Sequence, residues 1–182
     1  MQFIQNNKKL AGVLVGLALV ASSPAAMAVD WSQGGIGVRY GTGNNYQRAT
    51  INYETPSLWD HNLGGNWGRL EVTGEAGVSY WWASGSRSPS TAVQLHATPF
   101  LRWWIGERFF IEGGIGATVF NKTRFADKTI STAFQFGDQI GLGFQLTQNS
   151  KIGLRYAHFS NASIKRPNPG LDVVELGYTY KF

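Results

Sequence analysis

The sequence of 182 residues contains no cysteine. This absence excludes disulfide frameworks, thiol nucleophiles and thiolate metal sites. Histidine is also scarce: the chain has only His61, His96 and His158, so a three-histidine zinc site would need all of them. We therefore expect no metal and no other cofactor.

Charged residues are few as well, at 15% of the chain against the roughly 25% typical of soluble domains. The formal net charge is +5, and Lys8 and Lys9 near the start supply two of these charges. So small an excess does not predict binding to nucleic acid. Aromatic residues reach 14%, which excludes a disordered chain.

The first segment has the pattern of an export signal. Lys8 and Lys9 precede an apolar run over 10–20, and Ala26-Met27-Ala28 supplies the small residues that signal peptidase accepts. The run is shorter than the roughly 20 residues that a membrane-spanning helix needs. We predict that residues 1–28 are a cleaved signal peptide and that residues 29–182 form a single domain.

Long apolar runs are missing from the rest of the chain, so no spanning helix is expected there. Instead, apolar and polar residues alternate, which is typical of strands with two unlike faces. Between Leu70 and Tyr80, for example, every second residue is apolar or glycine and the residues between them are polar or small. The alternation predicts eight strands, near 33–42, 46–55, 67–82, 91–105, 108–120, 131–147, 151–160 and 171–182.

The two faces have opposite characters. The apolar face carries Trp and Tyr near strand ends, as the aromatic girdle of a membrane barrel does. The other face is rich in glycine and in charges of both signs, namely Arg39, Glu54, Arg69, Glu71, Glu75, Arg102, Glu112, Arg155 and Glu175. We therefore predict an all-β fold, an eight-stranded antiparallel transmembrane β-barrel of the outer membrane. Side chains fill the lumen of so small a barrel, and no pore is expected.

The connections alternate in length. Those at 106–107 and 148–150 are tight, whereas those at 83–90, 121–130 and 161–170 are longer. Short periplasmic turns and long outer loops give this asymmetry. The connection at 56–66 departs from it, because it is long where a short turn is expected.

Three polar residues interrupt the apolar face near the chain's end. Residues an even number of positions apart on a strand lie on the same face, and we call this relation parity. His158 and Ser160 share the parity of Tyr156, and Asp172 begins the apolar face of the last strand. Both strand ends lie at the outer rim, so a serine, a histidine and a carboxylate meet on the outer wall. An imidazole oriented by a carboxylate can activate a serine hydroxyl, which predicts acyl-ester hydrolysis at the membrane surface. The plainer interpretation is that polar residues at strand ends contact lipid headgroups.

The segment His158-Phe159-Ser160-Asn161-Ala162, followed by Pro167-Asn168-Pro169-Gly170, resembles the lipid A 3-O-deacylase family (PagL). The similarity extends over the mature chain, including 66–70 and 134–138. It implies an outer-membrane esterase that removes the ester-linked acyl chain at position 3 of lipid A. The enzyme would bind lipopolysaccharide in the outer leaflet of the membrane.

The resemblance also implies roles for individual residues. Ser160 would be the nucleophile, His158 the general base and then acid, and Asn168 a donor to the oxyanion. The family has a glutamate as the third member, where this chain has Asp172. Glu175 is the alternative acid, but its parity assigns it to the lumen.

Asp138 is a further polar residue that strict parity from Ile140 assigns to the lipid face. A carboxylate there is costly near the bilayer midplane, so we predict a bulge that turns Asp138 inward. A second polar site facing the substrate is the alternative.

Two other functions are compatible with such a barrel. A non-enzymatic barrel for adhesion or structural support would use long loops, and the loops here are modest. An acyltransferase acting on the same lipid would need an apolar chamber inside the barrel, which a charged lumen disfavours. The aromatic outer wall could also form the interface of a homodimer.

Overall fold

Eight long strands and three short ones are present in a computed structural model that describes residues 29–182. The predicted signal peptide, residues 1–28, lies outside the described residues. The strands are β1 (Gly35–Gly43), β2 (Tyr46–Glu54), β3 (Trp59–Asn62), β4 (Arg69–Ala83), β5 (Thr91–Ile105), β6 (Phe109–Phe120), β7 (Arg124–Phe125), β8 (Lys128–Thr129), β9 (Phe134–Gln145), β10 (Ser150–Ser160) and β11 (Leu171–Lys181). The short strands are β3, β7 and β8, and a short 3-10 helix, Trp31–Gln33, precedes β1.

The long strands close into a ring. β1 pairs with β11 on one side and with β2 on the other, and β2 pairs in turn with β4. The remaining neighbours are β4 with β5, β5 with β6, β6 with β9, β9 with β10 and β10 with β11. Each of these pairs is antiparallel, and the predicted eight-stranded barrel is confirmed. Within residues 29–182, no helix has the length and apolar character needed to cross a bilayer.

The outer wall is apolar and exposed. Along β1, buried and exposed residues alternate, and the exposed ones include Ile36, Val38 and Tyr40. The other strands repeat this pattern with exposed residues such as Leu95 and Leu176. Exposing so large an apolar surface to water is unfavourable, whereas contact with lipid chains is not. The wall is therefore the face that contacts the membrane.

Ion pairs fill the middle of the lumen. The Arg102 guanidinium, which is 1% exposed, contacts carboxylates from three other strands: Glu54 at 3.3 Å, Glu71 at 3.3 Å and Glu112 at 2.8 Å. Arg155 joins Glu112 to Glu75 across the barrel. Charges in so enclosed a space are stable only when each has partners. The network therefore ties opposite sides of the barrel together.

Aromatic side chains fill the lumen at the end that carries the longer loops. Trp81 lies at the centre, with Tyr46, Phe120, Phe125 and Phe159 packed around it at ring-centroid distances of 5.5 to 5.9 Å. Each of these five side chains is at most 1% exposed. We call this group the aromatic plug. Together with the ion pairs it makes the predicted filled lumen.

The connection at 56–66 is not a plain loop. Its strand β3 pairs with β4 through Val72 to Arg69, beyond the point where β2 ends at Glu54. β4 and β5 have 15 residues each and extend past β2 at this end, so β3 covers the edge of β4 that would otherwise be unpaired. The alternation in the sequence did not reveal so short a strand.

Asp138 does not turn inward, and the predicted bulge is wrong. The register runs without interruption from Gly137 to Gln139, with Asp138 opposite Ile115 on one side and His158 on the other. Asp138 is exposed on the outer wall. It lies near the loop end of β9, beside a polar neighbour, rather than at the apolar midplane where a carboxylate costs most.

We expect Arg102→Ala to destabilise the barrel strongly, because it leaves the buried carboxylates of Glu54, Glu71 and Glu112 short of positive charge. Removing one partner of a buried pair costs about 3–5 kcal/mol. The measurement is unfolding in urea. The folded fraction at each urea concentration is read from a gel, on which the folded barrel and the heat-unfolded chain migrate differently. The control is Arg108→Ala, which removes an exposed arginine from a turn. Equal urea midpoints for the two variants would contradict the prediction.

Candidate active site

Strands β10 and β11 place His158 and Asp172 directly opposite each other. Their neighbours Ala157 and Val173 are buried in the lumen, so both polar side chains lie on the outer wall, where they are 36% and 45% exposed. The His158 Nδ1 and Asp172 Oδ1 atoms are 2.7 Å apart. A carboxylate that accepts the Nδ1 hydrogen leaves Nε2 free to accept a proton. The pair therefore has the arrangement of an oriented general base.

Ser160 ends β10 two residues after His158, on the same face and opposite Phe136 of β9. Side chains so spaced leave a strand about 7 Å apart. In the part of the chain that the structure describes, a hydrogen bond joins His158 to Asp172 but none joins Ser160 to His158. Contacts between nucleophile and base often shorten only when substrate binds.

Glu175 lies on the other side of the barrel wall. It is fully buried, pairs with Arg48 at 2.7 Å and stands opposite Arg155 in the register. Its carboxylate thus belongs to the lumen network and faces away from His158. The parity of the last strand already predicted this separation.

Asn168 lies in the loop that joins β10 to β11. Its Oδ1 accepts a hydrogen bond of 3.2 Å from the backbone N–H of Asn161, the residue after Ser160. This contact brings the amide beside the end of β10 and leaves the Nδ2 hydrogens as donors. An oxyanion needs donors of this kind.

A neighbouring loop supports the one that carries Asn168. The buried Asn161 side chain donates to the carbonyl of Ile130, at 3.0 Å, and to that of Lys165, at 2.9 Å. Ser131 donates to the carbonyl of Pro167 at 2.6 Å, and the Lys128 ammonium donates to that of Gly170 at 3.2 Å. The loop at 121–133 therefore holds the loop at 161–170 in place.

Two residues of the site carried no role in the sequence interpretation. Asn161 was only one letter of a motif, and its partner Ile130 lies 31 residues away in the sequence. Tyr156 was assigned to the apolar wall, but its hydroxyl donates to Asp172 Oδ1 at 2.6 Å. The parity of β10 places Tyr156 on the same face as His158, and this signal in the sequence could have identified Tyr156 as a residue of the site.

Gly170 makes close contact with His158. Its φ is +66°, a conformation that favours glycine, and an added Cβ would lie 2.6 Å from Cε1 of the imidazole. Only a residue without a side chain leaves the ring in its position.

We expect Gly170→Ala to lower kcat at least about tenfold, since a displacement of catalytic groups by 1 Å costs up to about a hundredfold. The matched control is Gly106→Ala. Gly106 has a similar φ of +68°, but its added Cβ would meet nothing within 4 Å. Both variants carry the same backbone strain. The measurement is kcat in detergent, and an equal fall in both variants would show that backbone strain, and not the contact with His158, is responsible.

The model of the lipid A 3-O-deacylase family (PagL) matches residues 45–181. The chain belongs to this family. The resemblance inferred from the sequence is thereby confirmed, and every site residue described above lies within the matched range.

Individual proteins agree with this membership. The chain is 62% identical to the lipid A deacylase PagL of Bordetella bronchiseptica over 182 residues, the full length of both. It is 31% identical to the lipid A deacylase PagL of Pseudomonas aeruginosa, with 94% of this chain and 97% of the relative covered. The crystal structure of the outer membrane enzyme PagL superimposes with a TM-score of 0.72 at 26% identity, over 81% of this chain and 99% of that one.

Proposed function

We propose that the protein is an outer-membrane esterase that hydrolyses the ester-linked acyl chain at position 3 of lipid A, with Ser160, His158 and Asp172 as its catalytic residues. Membership of the lipid A 3-O-deacylase family supports the reaction and the outer-membrane location. The observation that carries the assignment of residues is the hydrogen-bonded pair of His158 and Asp172 on the lipid-facing wall beside Ser160.

The location of the residues suits a lipid substrate. All three lie at the loop end of the barrel on its outer wall, at the level where acyl chains meet the polar part of the outer leaflet. Lipid A resides in that leaflet, so it reaches Ser160 by lateral diffusion. The ester remains in the membrane while its bond is cut.

The reaction proceeds by acyl transfer to the enzyme. Ser160 Oγ attacks the ester carbonyl while His158 Nε2 takes its proton, and Asp172 stabilises the imidazolium that forms. Collapse of the tetrahedral intermediate breaks the bond to the sugar oxygen of lipid A, which takes the proton from His158 and leaves as a hydroxyl. Water, activated by the same imidazole, then releases the fatty acid and restores Ser160. Asn168 donates to the oxyanion in both steps.

We expect Ser160→Ala to abolish release of fatty acid from lipopolysaccharide in detergent, because no nucleophile remains. The variant should keep the gel shift of the folded barrel, since Ser160 lies on the outer face of β10 and its side chain is not part of the aromatic plug. Mass spectra of lipid A from cells that express either form provide a second measurement. Activity retained at the wild-type level would remove Ser160 from the mechanism.

The acid is tested by comparing Asp172→Asn with Glu175→Gln. Loss of the negative charge at Asp172 should lower kcat roughly 10³- to 10⁴-fold, as loss of the acid does in serine hydrolases. Glu175→Gln removes the negative partner of Arg48 in the lumen. It should lower the urea midpoint of unfolding and leave kcat close to the wild-type value. A larger loss of kcat in Glu175→Gln would assign the role to Glu175 instead.

Family membership favours the enzyme over the non-enzymatic barrel. The filled lumen likewise disfavours an acyltransferase, which needs an internal chamber for the acyl chain. A homodimer formed through the aromatic outer wall stays a prediction. Cross-linking in native membranes tests it.

A further inference from the structure

Both hydrogen bonds of the Asp172 carboxylate end on the same atom. Oδ1 lies 2.7 Å from Nδ1 of His158 and 2.6 Å from the hydroxyl of Tyr156. The catalytic mechanism above uses the first contact and gives the second no role. A hydroxyl that donates to a carboxylate forms one of the stronger classes of hydrogen bond.

The register of β10 and β11 brings the Tyr156 hydroxyl to this atom. Tyr156 stands opposite Val174, and His158 stands opposite Asp172, so Tyr156 and Asp172 are diagonal neighbours on the outer wall. Diagonal neighbours have Cα atoms about 7–8 Å apart, within reach of a long aromatic side chain. Tyr156 therefore approaches Asp172 along the wall, from the membrane side.

A second tyrosine fixes the backbone of Asp172 from inside the barrel. The Tyr46 hydroxyl donates to the Asp172 carbonyl at 3.1 Å and accepts from its N–H at 2.9 Å. Tyr46 is fully buried in the aromatic plug against Trp81 and Phe125. The peptide of Asp172 is thus anchored to the packed side chains of the plug.

The side chain of Asp172 does not share this support. It is 45% exposed on the outer wall, and its torsions are free to take several staggered rotamers. Water competes for an exposed carboxylate, and the ammonium of Lys128 lies nearby, hydrogen-bonded to the carbonyl of Gly170, two residues before Asp172. One contact with a partly exposed imidazole is a weak means of selecting a single rotamer.

We propose that Tyr156 is a positioning residue of the esterase: its hydroxyl holds the Asp172 carboxylate in the rotamer that engages His158. The proposal rests on the proposed function, in which Asp172 orients the imidazole. Aspartate has one methylene fewer than glutamate, so fewer of its rotamers bring an oxygen to Nδ1. A fixed donor on the wall makes the productive rotamer the populated one.

The test combines Tyr156→Phe with Asp172→Asn, alone and together, in detergent assays of fatty acid release. Tyr156→Phe should lower kcat about 10- to 100-fold, the equivalent of one hydrogen bond to a charged group, and should leave KM unchanged. In the Asp172→Asn background the same change should have no further effect, because the group that Tyr156 positions is already lost.

The matched control is Tyr178→Phe. Tyr178 is another lipid-facing tyrosine, and its hydroxyl is 2.9 Å from Ser150 Oγ on the neighbouring strand, at the far end of the barrel. This variant loses the same hydroxyl from the same wall and should keep wild-type kcat. All variants should retain the gel shift of the folded barrel.

Two results would overturn the role of Tyr156 alone. One is wild-type kcat in Tyr156→Phe while Asp172→Asn is impaired, which leaves the proposed function intact. The other is a raised KM with effects that multiply in the double variant, which assigns the hydroxyl to substrate binding instead. Wild-type kcat in Asp172→Asn would overturn the proposed triad and the positioning role together.

Discussion

Closure of the strands into a ring is the constraint on which the rest of this structure depends. A bilayer offers no partner to an unpaired backbone N–H or C=O, so a sheet can span it only without free edges. The pairing of β1 with β11 and of β2 with β4 closes the ring of eight long strands. Once the ring is closed, successive side chains along a strand point alternately to the lipid and to the lumen.

The lumen in turn determines how rigid the wall is. Its middle is held by carboxylates and guanidiniums that neutralise one another, and its loop end by the aromatic plug. The plug extends to the site, because Tyr46 bonds the backbone of Asp172 and Phe159 separates His158 from Ser160 in the sequence. The side chains that we propose as catalytic, on the lipid side, are thereby supported by packing on the inner side.

Parity predicted much of the fold and of the site. It gave eight strands with bounds within a few residues, and it assigned His158, Ser160 and Asp172 to the outer wall and Glu175 to the lumen. It failed for β3, whose four residues are too few to show a period. It also misled for Asp138, because parity states which face a residue is on but not how far it lies from the bilayer midplane.

The sequence by itself determined the two faces of the wall, since the period of a strand is a local property of the chain. Its slightly polar mean hydropathy of -0.17 is the average of an apolar outside and a charged inside. Only the tertiary structure decided which residues on one face meet. The register between β10 and β11 brings Asp172 to both His158 and Tyr156, and the contacts of the loop at 121–133 fix the loop at 161–170. These are contacts between residues far apart in the chain, which no local period encodes.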